Sequence, residues 1–151
     1  PGEDPDDIRQ AIHIAHAEGF SVMAHANGAE TVIAACEEKV DSIEHGAYLN
    51  EEALCAMAEA GTVWVPTLST IGNLRGKGRF REKEVEKILE SAMKNVRRFA
   101  ALGGLIAPGT DAGAWAVPHG SLTEYALLLE ALGEDTDALL EKGITVIREK
   151  F

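Results

Sequence analysis

Four short apolar runs, at residues 20–26, 41–46, 62–68 and 105–111, are each followed by a stretch whose apolar residues recur at helical spacing. A helical pattern also precedes the first run, and another closes the chain. This alternation constrains the fold more than any other feature of the sequence. A strand that reaches the next strand through a helix pairs with it in parallel, by a right-handed crossover. The expected class is therefore α/β, with about four parallel strands and flanking helices. No linker or repeat divides the chain, and 151 residues suit one domain.

The helix ends are marked. Asp4 can cap a helix that starts at Pro5, with acids in its first turn and Ile8, Ala11, Ile12 and Ala15 on one face until Gly19. A second helix covers residues 28–39. Asn50 caps a third, with Leu49 and Leu54 placed as a hydrophobic staple and Gly61 as its stop. Pro66 reads as the end of the third strand or a bulge. Residues 69–81 break the pattern with Gly72, Gly76 and Gly78 and a basic cluster of Arg75, Lys77, Arg79 and Arg81, and are expected to form a mobile loop. A long helix follows from 82 to about 102. Helices at 121–132 and at the end of the chain complete the order, the last with Leu140, Ile144, Ile147 and Phe151 in register.

Composition excludes several function classes. A formal charge of -11 argues against nucleic-acid partners. No apolar run approaches the roughly 18 residues of a membrane span, and the polar start Pro1-Gly2-Glu3-Asp4-Pro5 is unlike a secretory signal. Cys36 and Cys55 sit on helical patterns among alanines and are read as reduced thiols, which fits a cytoplasmic setting.

Chemistry concentrates at the ends of the strands. His25, His45 and Asp111 each end an apolar run, so parallel strands gather them at one rim. Two imidazoles and a carboxylate there form a candidate metal site. Four strands make an open sheet or half of an eight-stranded barrel. In a barrel, alternation would turn His25 inward with Met23, His45 with Ile43, and Asp111 with Gly109 and Ala107, leaving Glu44 to face the helices. His13 and His16 lie on a helix and read as packing residues. Tyr48, Trp115, His119 and Arg75 stand near the same rim and are candidate substrate contacts, Arg75 and its basic neighbours for an anionic group.

Four pieces in order carry a family resemblance: Ala24-His25-Ala26-Asn27-Gly28, Ser42-Ile43-Glu44-His45-Gly46, Val65-Pro66-Thr67-Leu68 and Gly109-Thr110-Asp111-Ala112-Gly113. The chain resembles the metal-dependent amidohydrolase superfamily, in the branch of imidazolonepropionases and Xaa-Pro dipeptidase-like enzymes, over residues 7–132. The resemblance implies that residues 1–151 are the C-terminal half of a (β/α)8 TIM barrel, strands five to eight. It implies that His25 and His45 bind a divalent metal, zinc above others, and that Asp111 binds metal and handles the proton of the attacking water. The implied reaction is hydrolysis of an amide or other C–N bond in a small-molecule amide, dipeptide or cyclic amide. A deaminase of the same superfamily and a non-catalytic half-barrel are the alternatives.

The family's first-strand His-X-His pair and fourth-strand lysine are not in this sequence. The chain alone is therefore expected to be inactive and to associate with a missing N-terminal half or a second copy. Its edge strands would be those of His25 and Asp111, and its inner face of Met23, Ile43 and Val65 would lie open.

Overall fold

The computed structural model describes residues 4–113 and 117–151. The order is α1 (Pro5–Ala17), β1 (Met23–Ala26), α2 (Ala29–Glu37), β2 (Ser42–His45), α3 (Glu51–Ala60), β3 (Val63–Val65), α4 (Leu68–Gly72), α5 (Glu82–Ala101), β4 (Leu105–Ile106), α6 (Thr123–Leu132), a 3-10 turn and α7 (Thr136–Lys150). Two caps read from the sequence are in place. The Asp4 carboxylate accepts from the Asp6 amide at 2.9 Å, and the Asn50 side chain accepts from the Ala53 amide at 3.0 Å.

The strands form one parallel sheet in the order β1-β2-β3-β4, so the α/β class is as expected. Register divides its side chains between two faces. Ala24, Ile43, Trp64 and Ile106 are paired across the sheet and face the helices, where they meet Val32, Leu54, Met57, Val96 and Phe99. The Trp64 and Phe99 rings meet edge to face with centroids 5.5 Å apart. The second face carries Met23, His25, Glu44, Val63 and Val65.

This register corrects the expected facing of Ile43 and Glu44. Ile43 is fully buried on the helix side, and Glu44 shares the face of His25. The cause is local. His45 has φ 70, a left-handed conformation, so the two-residue alternation does not run through it. Its imidazole reaches the rim by that twist rather than by parity with Ile43.

The second face is closed over β3 and β4 but open at β1. Val63, Val65 and Ala107 form a separate apolar cluster closed by Leu105 and by Ile144, Val146 and Ile147 of α7. Contact with β4 is tight at Gly143, where a methyl group would lie 2.0 Å from the Ile106 carbonyl oxygen. Met23, on β1, stays 52% exposed. The segment after the third strand also differs from the expected loop. Leu68–Gly72 is helical, because β3 stops at Val65 and Pro66 is followed at once by a new helix start.

The last turn of α7 is tied to the opposite end of the sheet from the histidines. Asp41 accepts from Lys150 Nζ at 2.6 Å, from the Val22 amide at 2.8 Å and from His16 Nε2 at 3.0 Å. The Ser21 hydroxyl donates to the Lys150 carbonyl at 2.7 Å. His16 is thus a structural partner, and His13 pairs with Glu38 at 3.4 Å. Burial alone would raise the Asp41 pKa; Lys150, the Val22 amide and His16 outweigh it and hold the carboxyl below its ordinary 3.8.

A depressed carboxyl stabilises the fold above its unfolded pKa and stops doing so as pH falls through the folded value. Asp41→Asn is therefore expected to lower stability at pH 7 by about 1.5–3 kcal/mol. Its difference from the native chain should shrink once pH drops below 3.8. Urea unfolding of both chains across that range checks this, and a constant difference would contradict it.

Cys36 is buried and Cys55 is partly exposed, both as free thiols. Burial pushes the Cys36 thiol up to about 11, against a weaker opposing bond from Thr62. Among the described residues no helix is long and apolar enough to cross a membrane.

Candidate metal and active site

β1 and β2 place their histidines side by side because both strands end at the same level. His25 Nδ1 and His45 Nε2 are 3.0 Å apart, and the rings meet at 66° with centroids 4.2 Å apart. The other nitrogen of His45, Nδ1, lies 2.6 Å from the Thr67 hydroxyl oxygen. Thr67 follows β3 after Pro66 and has φ 47. Trp64 donates its indole N–H to the His45 carbonyl at 2.9 Å. The next residue must be small: at Gly46, with φ +62, a Cβ would fall 2.6 Å from Trp64 Nε1. His45 is thereby held at its ring, its carbonyl and its C-terminal neighbour.

Burial pushes the His45 pKa below its ordinary value, and His25 lowers it further, while Asp111 opposes both. This favours neutral His45, the form in which an imidazole nitrogen can serve as a ligand.

Asp111 lies five residues past the end of β4, with φ 49, and is exposed. Its charge is felt at His45, and it lines the same cavity as the two histidines. Among the described residues, however, no three His, Cys, Asp or Glu side chains gather closely enough to hold a metal ion. The expected three-residue site is seen as a close histidine pair with Asp111 apart from it.

The cavity measures about 790 Å³. Beyond the histidines its walls are largely apolar, with Leu74, Phe80, Val85, Ile88 and Ala92 supplied by α5 and the segment before it. Glu84, Lys87, Thr70, Ser91 and Asn95 add polar groups.

The other candidate contacts divide. Tyr48 lines the cavity, 76% exposed, at φ 62. His119 is exposed and is not among the lining residues. Arg75 does not line the cavity but pairs with Glu86 at 3.7 Å. Arg81 pairs with Glu84 at 3.6 Å, and the Arg79 guanidinium lies 5.7 Å from the Phe80 ring centroid. Trp115 lies outside the described residues. The cation that does line the cavity is Lys87, on the amphipathic helix α5, and nothing in its helical pattern sets it apart from its neighbours. Sequence reasoning also misses Thr67 as a functional side chain. Its position, one residue past Pro66 at a strand end, is the signal that could have found it.

No family model matches the chain. An uncharacterised protein of Mycobacterium tuberculosis is 29% identical over 134 residues, 85% of this chain and 36% of that protein. Ochratoxinase of Aspergillus niger is 29% identical over 112 residues, 71% of this chain and 23% of the enzyme. Among solved structures, a Xaa-Pro dipeptidase with methionine bound in its active site superposes with a TM-score of 0.79 at 26% identity. The match covers 99% of this chain and 39% of the dipeptidase. The fold is amidohydrolase-like. This amidohydrolase-like chain spans about 36% of the length of the first curated relatives it matches. Its named neighbours include a Xaa-Pro dipeptidase, a prolidase and ochratoxinase, which supports a hydrolase function at the family level.

Enzymes of this superfamily are generally metal-dependent. The histidine pair of this amidohydrolase-like chain fits such an ion. Two imidazole nitrogens bound tetrahedrally to zinc at their usual distance stand about 3.3 Å apart. His25 Nδ1 and His45 Nε2 already stand 3.0 Å apart. Thr67 on the far nitrogen of His45 is the kind of outer partner that fixes a ligating histidine.

Proposed function

We propose that this chain is the part of a metal-dependent hydrolase, corresponding to strands five to eight of its barrel, that carries two metal-binding histidines and the proton-handling carboxylate. The approach of His25 Nδ1 to His45 Nε2 at 3.0 Å carries the reading. His25 and His45 are the ligands and zinc is the favoured ion, with Asp111 drawn in beside them. A divalent ion held there lowers the pKa of a water molecule towards neutrality and polarises a carbonyl group.

The chain's own residues have separate roles. When the Nδ1–H of His45 donates to Thr67, its Nε2 lone pair is left facing His25. His25 then presents its own Nδ1 lone pair by carrying its proton on Nε2 instead. Asp111 takes the proton of the attacking water and returns it to the leaving nitrogen, so that the amide breaks without a free amide anion. The cavity's apolar wall of Leu74, Phe80, Val85 and Ile88 takes the apolar part of the substrate, and Tyr48 borders it.

The substrate class is a small amide, dipeptide or cyclic amide, in keeping with relatives named as a dipeptidase and as ochratoxinase. With Asp111 standing apart from the histidine pair, this chain alone supplies two ligands where a catalytic zinc takes three, so full activity requires the remainder of a barrel, and the chain alone is inactive. The intact enzyme works in the cytoplasm.

Zinc titration of the chain against a chromophoric chelator tests this. His25→Ala and His45→Ala are each expected to weaken binding at least about 10-fold. Zinc uptake that neither substitution changes would remove the pair from the function.

A further inference from the structure

Glu124, in the first turn of α6, is 1% exposed. Its Oε2 accepts from the Ser69 amide at 2.6 Å. Oε1 has no partner among the described residues. Burial pushes the Glu124 pKa up, against the pull of the bond from the Ser69 amide. A buried carboxylate is costly unless its oxygens are hydrogen-bonded or paired, and Oε1 is neither among the described residues, so the position calls for a role. That role is visible at the start of α4.

Leu68 and Ser69 are the first two residues of α4, whose cap position is Thr67. A threonine there ordinarily turns its hydroxyl onto the second or third amide of its own helix. Thr67 makes no such bond: its backbone is left-handed, φ 47 and ψ 44, rather than extended, and its hydroxyl meets His45 Nδ1 at 2.6 Å. The Ser69 amide is taken instead by Glu124, from a helix 55 residues further along the chain. Ser69, held by its amide, gives its hydroxyl proton to the carbonyl of Thr110 at 2.9 Å, next to Asp111.

We propose that Glu124 is a positioning residue of the candidate site: by capping α4 in place of Thr67, it frees the Thr67 hydroxyl to hold His45 and sets Ser69 against the Asp111 turn. Its functional meaning rests on the reading of His45 as a metal ligand, but the arrangement itself does not. Without the Glu124 carboxylate the Ser69 amide is orphaned, and the Thr67 hydroxyl, two residues before it, is an acceptor in the same turn. The hydroxyl rotates to that amide and leaves His45 Nδ1.

Nitrogen-15 NMR of histidine-labelled, metal-free chain reads this directly. The native chain should show His45 as one tautomer, protonated at Nδ1. Glu124→Ala should give a tautomer mixture with a faster-exchanging Nδ1 proton. Glu124→Gln keeps an acceptor oxygen for Ser69 and should restore the native pattern. In a Thr67→Val background, Glu124→Ala should change His45 no further. A merely structural glutamate would lower stability in all backgrounds and leave the tautomer alone.

A folded Glu124→Ala chain with native His45 signals overturns the proposal. Should Glu124→Ala not fold, Glu124→Asp, which keeps the charge but shortens the reach, takes its place in the comparison. A His45 tautomer mixture in that chain supports the proposal, and native His45 signals overturn it. Zinc titration of these samples separates the two readings. Glu124→Ala is expected to weaken zinc about 10- to 100-fold. A native chain that takes up no zinc, while Glu124→Ala still releases His45, overturns the metal assignment and supports the positioning role.

Discussion

Replacing Trp64 by alanine is expected to destabilise the chain by about 3–5 kcal/mol. Trp64 is 1% exposed at the centre of the helix-facing core, edge-on to Phe99. Alanine there leaves a cavity beside Phe99 in the core, and the surrounding structure relaxes into such a cavity only in part. The loss has a polar part as well, because the His45 carbonyl gives up the indole N–H that satisfies it. Trp64→Phe divides the two effects. It keeps most of the ring but not the N–H, so it should cost about 1–3 kcal/mol. Urea unfolding followed by circular dichroism measures both variants without relying on tryptophan fluorescence. A Trp64→Ala chain within about 1 kcal/mol of the native one would mean that this core is far softer than its packing implies.

Asp111→Asn is expected to lower turnover of an amide substrate by about 100-fold or more in an active assembly that contains this chain. Asparagine keeps the size and polarity of the side chain and tolerates the left-handed backbone found there, φ 49, at least as well as aspartate. Backbone relief or disruption therefore cannot account for the loss. What changes is basicity, since an amide oxygen does not take a proton from water near neutral pH. Metal content measured on the same sample separates proton handling from metal retention. Near-native turnover with the metal in place would take Asp111 out of the mechanism.

Much of this architecture is legible in the chain because its signals are local. Apolar runs alternate with amphipathic stretches, Asp4 and Asn50 bond the amides of their own first turns, and the two histidines end successive strands. A histidine pair can be foreseen from strand ends alone. Its neighbours cannot. The expected inward set fails at Ile43 and Glu44 because alternation presumes extended backbone through His45, where the chain instead turns left-handed. The spacing of Leu140, Ile144 and Ile147 announces an apolar face on the last helix, but spacing does not say what that face will cover. Glu124 is just one more acid on a helix until the fold puts it over the Ser69 amide, which Thr67 does not cap.

Among the described residues, five that are not glycine have positive φ. Lys39 closes a turn ahead of β2, whereas His45, Tyr48, Thr67 and Asp111 all stand around the cavity. Each holds its backbone roughly 1–3 kcal/mol above a relaxed conformation, and glycine would release that strain. Heat resistance and chemistry therefore pull on these four positions in opposite directions. Variants chosen only for surviving higher temperature would gather there as glycines, each deleting a side chain that the cavity displays. Carried far enough, such selection would yield a sturdier protein with nothing left at its rim to do chemistry.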